Sequence, residues 1–191
     1  AAMNRDKIYF FDPVELEIKR IPSECCVLDI GGGGEGVIGR VLGRRVVAID
    51  CREDELAEAP EGPLKIVMDA TDLKFMGGTF PVATAFFSLM YFDEESDLQT
   101  AFAEIFRVLK PQGHFRIWDV DIPSVPETDK PIFAVSLKCV IDGEVLETAY
   151  GRPWLAQTRD NRYYRNLAEA AGFTHVTTKV LGQTFHSTFR K

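Results

Sequence analysis

The chain has 191 residues, 46% of them hydrophobic and 27% charged, which is one domain's worth of core and excludes wholesale disorder. A formal net charge of −7, from 22 Lys and Arg against 29 Asp and Glu, argues against a general nucleic-acid binder or a protein of anionic membrane surfaces. No apolar run approaches the roughly 18–20 residues of a membrane span, and the N-terminus lacks the basic head and apolar stretch of a signal peptide.

In chain order, Ala1 and Ala2 ahead of Met3 read as a cloning remnant, and Lys7–Phe11 (KIYFF) is an apolar, aromatic run. Cys26–Ile30 (CVLDI) is a buried-type strand that ends in glycines. Gly36–Gly43 reads as a short helix, Arg45–Asp50 as a second strand and Glu53–Glu58 as a helix stopped by Pro60. Leu64–Met68 and Val82–Ser88 are further strands. Asp97–Leu109 places Leu98, Ala101, Phe102, Ile105, Phe106 and Leu109 at helical spacing along one stripe. Lys110-Pro111-Gln112-Gly113 turns the chain into a strand over Phe115–Val120. The segment Ile122–Lys130 holds three prolines and reads as a loop. Phe133–Ile141 and Glu144–Tyr150 are strand-like, and Asp142-Gly143 between them is a hairpin signal, because both positions tolerate positive φ. Arg159–Ala171 is a helix closed by Gly172, and Val176–Leu181 and Thr184–Arg190 form a final antiparallel pair.

Strands that alternate with helices predict an α/β fold: a Rossmann-like, doubly wound sheet, mostly parallel with an antiparallel C-terminal strand, both faces covered, plus an inserted β-hairpin at about 133–150. Ligands in such sheets bind beyond the carboxyl ends of the strands, where the strand order switches. The four cysteines, Cys25, Cys26, Cys51 and Cys139, form no C-x-x-C pair, and the three histidines are scattered. We therefore expect free thiols in a reducing cytoplasm and no metal site.

The sharpest feature is the loop Asp29-Ile30-Gly31-Gly32-Gly33-Gly34-Glu35-Gly36, which follows a strand and opens a helix. Its glycines permit a tight turn and close approach of a ligand to backbone N–H groups. Asp50 closes the next strand 19 residues after Gly31, where a carboxylate accepts from the hydroxyls of an adenosine ribose. Gly31, Gly33 and Gly36 satisfy the G-x-G-x-x-G of dinucleotide sites, whereas Asp29, Gly31 and Gly33 satisfy D-x-G-x-G.

On the second pattern the chain resembles the class I, seven-stranded S-adenosylmethionine-dependent methyltransferases. Three further blocks resemble the same family: Met68-Asp69-Ala70-Thr71-Asp72-Leu73, Glu104–Phe115 with its Arg107-Val108-Leu109-Lys110-Pro111-Gln112-Gly113, and Leu167–Phe173. Glu35 stands where the family's last loop glycine falls, and Gln112 replaces a glycine of the third block. The dinucleotide reading lacks support elsewhere, since no tyrosine has a lysine four residues on.

The resemblance implies transfer of a methyl group from S-adenosylmethionine, with S-adenosylhomocysteine as product, within the EC 2.1.1 class. It implies that Asp29 orients the loop and the methionine ammonium, and that Asp50 meets the ribose and Asp69 the adenine. Gly31, Gly32, Gly33, Glu35, Cys51, Ala70, Phe87 and Ser88 complete the implied cofactor set. Tyr91 and Asp119 are the catalytic or substrate-side candidates, and Asp121 should share the ligand face with Asp119. There is neither N/D-P-P-Y nor Pro-Cys after the fourth strand, which points away from nucleic acid and toward a small-molecule acceptor. Arg152, Arg159, Arg162 and Arg165 form the one basic cluster and read as a solvated helix face rather than an anion site. The hairpin either covers the site or pairs across a homodimer, and the Lys7–Phe11 run leaves little chain for a helical lid.

We expect one domain over 1–191: an N-terminal segment to residue 24, a cofactor-binding half over 25–120, a loop and hairpin insertion over 121–158, and a C-terminal helix and strands over 159–191. Two other readings stay open: a cofactor-binding module without turnover, and an NAD-dependent oxidoreductase.

Overall fold

Parallel strands need a crossover between them, whereas antiparallel ones need only a tight turn. Both kinds of connection occur in the computed structural model, which describes residues 5–19, 21 and 26–191. Ala1, Ala2, Met3 and Cys25 lie outside the described residues. Two short strands open the chain, β1 (Ile8–Phe10) and β2 (Val14–Glu17). Then come β3 (Val27–Ile30), α1 (Val37–Leu42), β4 (Val46–Asp50), α2 (Glu53–Glu58), β5 (Leu64–Val67), β6 (Phe80–Phe86), α3 (Glu95–Val108) and β7 (Leu109–Val120). The chain closes with β8 (Ile132–Ile141), β9 (Glu144–Pro153), α4 (Asn161–Ala171), β10 (Thr174–Leu181) and β11 (Thr184–Arg190).

The main sheet has seven strands in the order β10-β11-β7-β6-β3-β4-β5. β5, β4, β3, β6 and β7 pair in parallel, and β11 runs antiparallel to both β7 and β10. Each strand's alternate residues divide between two cores, as the period of two requires. On one face Leu28, Ala83 and Ile117 pack under Leu98, Phe102 and Ile105 of α3 and Leu167 of α4. On the other, Val27, Ala48, Val82 and Phe86 meet Ile38 and Val41 of α1 and a second sheet.

That second sheet is the main departure from expectation, which had helices on both faces of the main sheet. The Asp142-Gly143 turn does form, at φ 49° and 87°, and β8 pairs with β9 along its whole length. The other edge of β8 is filled by β1 and β2, laid end to end and both parallel to it. Ile8–Phe10 of the apolar Lys7–Phe11 run thus form a strand of this sheet. Val14 and Leu16 are buried while Glu15 and Glu17 are exposed. Such short strands are stable only against a partner, and theirs lies more than 100 residues away, beyond the reach of local pattern. Both edges of β8 are used within the chain, which removes them from edge-to-edge association.

The turn at Lys110–Gly113 survives as a bulge inside β7. Phe80 pairs with Leu109 but Val82 with His114, and Gln112 adopts φ 63°. Among the described residues, no helix is long and apolar enough to cross a membrane.

Phe133 of β8 is fully buried between the two sheets, with ring contacts to Phe11 and Trp154. Phe133→Ala should cost about 3–5 kcal/mol, the usual range for a buried phenylalanine. Urea unfolding followed by tryptophan fluorescence measures it, and a loss below about 1 kcal/mol would mean the second sheet contributes little to the core.

Candidate functional site

Between β3 and β6 the strand order reverses: the chain leaves β3 for β4 on one side and β6 for β7 on the other. A cleft opens where the two crossovers part. It is a cavity of about 850 Å³, within the roughly 300–1,000 Å³ usual for small-ligand sites.

Its walls come from successive strand ends. Asp29 and the Gly31–Gly36 loop follow β3, Asp50 and Cys51 end β4, and Asp69, Ala70 and Thr71 follow β5. Phe87, Ser88, Tyr91, Phe92 and Asp93 follow β6, Asp97 starts α3, and Thr148, Ala149 and Tyr150 come down from β9. The structure thus brings Asp29, Gly31, Gly32, Gly33, Glu35, Asp50, Cys51, Asp69, Ala70, Phe87, Ser88 and Tyr91 around one cavity.

The loop's shape follows from its contacts. Gly31 has φ +67°, and a Cβ there would run into Ser88, whose Oγ donates to the Ile30 carbonyl at 2.6 Å. Gly32 and Gly34 spend their N–H groups on the carbonyls of Ile49 (2.9 Å) and Glu55 (2.8 Å). Gly36, at φ +52°, caps α1 against Pro60. Glu35 therefore precedes the helix; it lines the cavity with its carboxylate 3.8 Å from Arg40.

Asp29 is buried and accepts from Thr84 Oγ1 at 2.7 Å. Burial pushes its pKa up to about 7; the Thr84 bond opposes this, and the Asp50 charge adds to it. Asp50 Oδ1 accepts from the Arg52 N–H at 3.0 Å. Asp69 Oδ1 accepts from the N–H and hydroxyl of Thr71, both at 2.8 Å. Asp72, the alternative to Asp69, turns to Lys74 instead. Partial burial and the Asp50 charge raise the Cys51 thiol, so it is a poor nucleophile. Phe87 holds a left-handed backbone, φ 50°, and its ring stacks on Tyr150 with centroids 5.0 Å apart. A non-glycine residue in that region is strained, and strain of this kind collects at functional sites.

Three expectations are corrected. Asp119 does not face a ligand: it is wholly buried and takes the Met90 N–H at 3.1 Å, and burial raises its pKa to about 7. Asp121 is also structural, accepting from the Asn161 N–H at 2.7 Å at the start of α4. The arginine cluster is not a single solvated face. Arg162 and Arg165 are exposed, but Arg152 and Arg159 are buried, because folding places backbone carbonyls around them. Sequence reasoning missed Thr84 and Glu55, and named the hairpin as a possible cover without singling out Thr148–Tyr150 of β9 as its cavity-lining residues. A threonine inside an apolar strand is a weak signal for the first, and nothing local marks the others.

Residues 28–117 match the family model described as a methyltransferase domain. No curated protein matches the chain. Among solved structures, a Pyrococcus horikoshii protein is similar with TM-score 0.63 and 21% identity, over 88% of this chain and 82% of that one. An S-adenosylmethionine-dependent methyltransferase of Mesorhizobium loti has TM-score 0.61 and 16% identity, over 87% and 90%. One from Methanosarcina mazei has TM-score 0.62 and 17% identity, over 94% and 93%. At these identities the likeness is one of fold.

The raised pKa of Asp29 links stability to pH. The folded protein keeps a proton up to about pH 7 that a free aspartate releases near 3.8. This contribution to stability is complete below about pH 4 and is lost as pH rises to 7. Asp29→Asn, which cannot ionise, should therefore show a flatter fall in stability between pH 4 and 8 than the unmodified chain. Urea unfolding at fixed ionic strength compares the two, and parallel curves would mean that Asp29 titrates normally.

Proposed function

We propose that this chain, a methyltransferase-domain protein of the class I fold with S-adenosylmethionine as its cofactor, moves the cofactor's methyl group onto a small-molecule acceptor. The observation that carries the reading is the placement of Asp29, Asp50 and Asp69, from three strand ends, around one cavity at the sheet's switch point. The residues suit the cofactor: three carboxylates and a glycine turn meet a ligand that carries one hydroxyl-bearing sugar and a cationic methionine end.

In this reading Asp69 and Ala70 hold the adenine, Asp50 and Cys51 the ribose, and Asp29 with Gly31–Gly33 the methionine end. Glu35, Phe87 and Ser88 border the reacting region. The cofactor supplies an activated sulfonium methyl, so the protein's part is chiefly alignment and exclusion of water. Phe87 and Tyr150 provide an apolar wall on that side. Tyr91 is the remaining candidate at the reacting atoms. Burial raises its hydroxyl above the ordinary tyrosine value while the Gly151 backbone works against that, so at neutral pH it holds its proton and acts as a donor.

The acceptor side is the space between the segment 88–93 and β9. Its charged lining residues Glu35, Asp93 and Asp97 are acidic; Glu35 and Asp93 pair with Arg40 and Arg152, and Arg52, the basic residue on the cavity wall, is paired with Asp54 and Glu55. This field supports a neutral or cationic acceptor over a carboxylate, a phosphate or a nucleic acid. The place of β9 on the cavity wall supports the hairpin as a cover rather than a dimer contact. A cytoplasmic location and a single domain over 1–191 belong to the same reading.

A second reading, a cofactor-binding module without turnover, is favoured by one observation. Asp119, the carboxylate best placed in sequence to act as a base, is buried away from the cavity.

Calorimetric titration should show S-adenosylhomocysteine binding in the micromolar range and no NAD binding. Asp50→Ala should weaken the former about tenfold or more, the worth of a charge-assisted hydrogen bond. Binding of NAD alone would restore the oxidoreductase reading. In a panel assay with methyl-labelled S-adenosylmethionine, label should pass to amines or neutral hydroxyl compounds before carboxylates. Binding without turnover on any acceptor would favour the module.

A further inference from the structure

The segment 88–93 carries Tyr91, Phe92 and Asp93 onto the acceptor side, yet it belongs to no long element: a single 3₁₀ turn, Leu89–Tyr91, is its regular structure. Its backbone is held by three buried charged side chains from three other parts of the chain. Asp119 at the end of β7 accepts from the Met90 N–H at 3.1 Å. Arg159, ahead of α4 and 1% exposed, donates through Nη1 to the Phe92 carbonyl at 2.6 Å and through Nη2 to the Asp93 carbonyl at 2.9 Å. Arg152 on β9 donates through Nη1 to the carbonyls of Met90 and Phe92, and through Nη2 to Asp93 Oδ1 at 2.9 Å.

Burying two guanidinium groups and a carboxylate is costly, and apolar packing would hold a surface turn at less expense. What the arginines add is direction. A planar fork fixes several oxygens at once, which an apolar contact or a lysine does not. Arg152 also sits beside the three β9 residues that line the cavity, and Gly151 between them touches the Tyr91 hydroxyl. One strand thus bears both the cover of the acceptor space and the grip on its opposite wall.

We propose that Arg152 and Arg159 are positioning residues for the acceptor. They lock the segment 88–93 to β9 and to the start of α4, so that Tyr91 and Phe92 are presented to the cofactor at a set place, and an acceptor that seats against β9 orders both walls together. The proposal rests on the cavity holding cofactor and acceptor. The cofactor contacts on β3, β4 and β5 lie outside this network, and Ser88, the one member of the implied cofactor set within the segment, is held by its own bond to the Ile30 carbonyl rather than by the arginines, so the two functions separate in an experiment.

The test compares Arg152→Met and Arg152→Lys with Leu137→Ala, a β8 core variant that weakens the second sheet while leaving both arginines and their hydrogen bonds in place. Amide hydrogen exchange over residues 88–93 should quicken about tenfold or more in both arginine variants, beyond any change in Leu137→Ala, with S-adenosylhomocysteine affinity kept within about twofold. With an acceptor from the panel assay, Arg152→Lys should raise the KM for acceptor and leave that for S-adenosylmethionine unchanged. If Leu137→Ala quickens the segment as much, the arginine acts only through sheet stability and the proposal is overturned. If affinity for S-adenosylhomocysteine falls while exchange is unchanged, it is overturned also. Should Arg152→Met fail to fold, Arg152→Lys carries the same comparison. Failure of the underlying reading looks different: the unmodified chain would then bind no S-adenosylhomocysteine.

Discussion

A buried hydrogen bond from Thr84 to Asp29 spans β6 and β3 at the one place where the sheet changes direction. The two strands must stay paired there while their connections leave to opposite sides, and the cleft between those connections is the site. A carboxylate at the bottom of the cleft is expensive to bury, and the structure offsets the cost by letting Asp29 keep a proton up to about pH 7. A cationic ligand group nearby would draw that proton off. The residue that is costly to the empty fold is therefore the one poised to favour a cation, which is how stability and function trade against each other in many sites.

Around that point the two faces of the main sheet are built differently. The face under α3 and α4 is an ordinary helical layer. The opposite face is closed by α1 and by a sheet whose central strand, β8, has both edges filled from within the chain. A sheet used as a cover differs from a helix in one respect that matters here. Its hydrogen bonds run between strands, so β9 is tied through β8 to β1 and β2. Tyr150 stacked on Phe87 then joins this cover to the strained residue at the end of β6.

The buried charges share a common logic. Asp119, Arg152 and Arg159 lie around the turn that follows β6, where backbone groups leave the sheet ladder and need other partners. Helical capping could satisfy such groups at the surface. In this buried turn side chains do so instead, and the charged groups of arginine and aspartate make the stronger hydrogen bonds.

Local chemistry made much of this readable from residues alone. The glycine loop, Asp50 at the end of a strand, the apolar stripe of α3 and the Asp142-Gly143 turn depend on backbone preferences and short periodicities, and each is expressed within a few residues of itself. The sequence by itself determined the α/β class, the order of the elements from β3 onward and the three carboxylates that meet at the cavity. The tertiary structure alone decided which strand covers which face, that β1 and β2 lie along β8, and that Asp119, Arg152 and Arg159 turn inward. Those outcomes depend on pairings between segments as far apart as Val14 and Leu137, or Arg152 and Met90. An arginine reads the same on an exposed surface and beneath a sheet, because only the packed fold fixes how many carbonyls surround it and how much water remains.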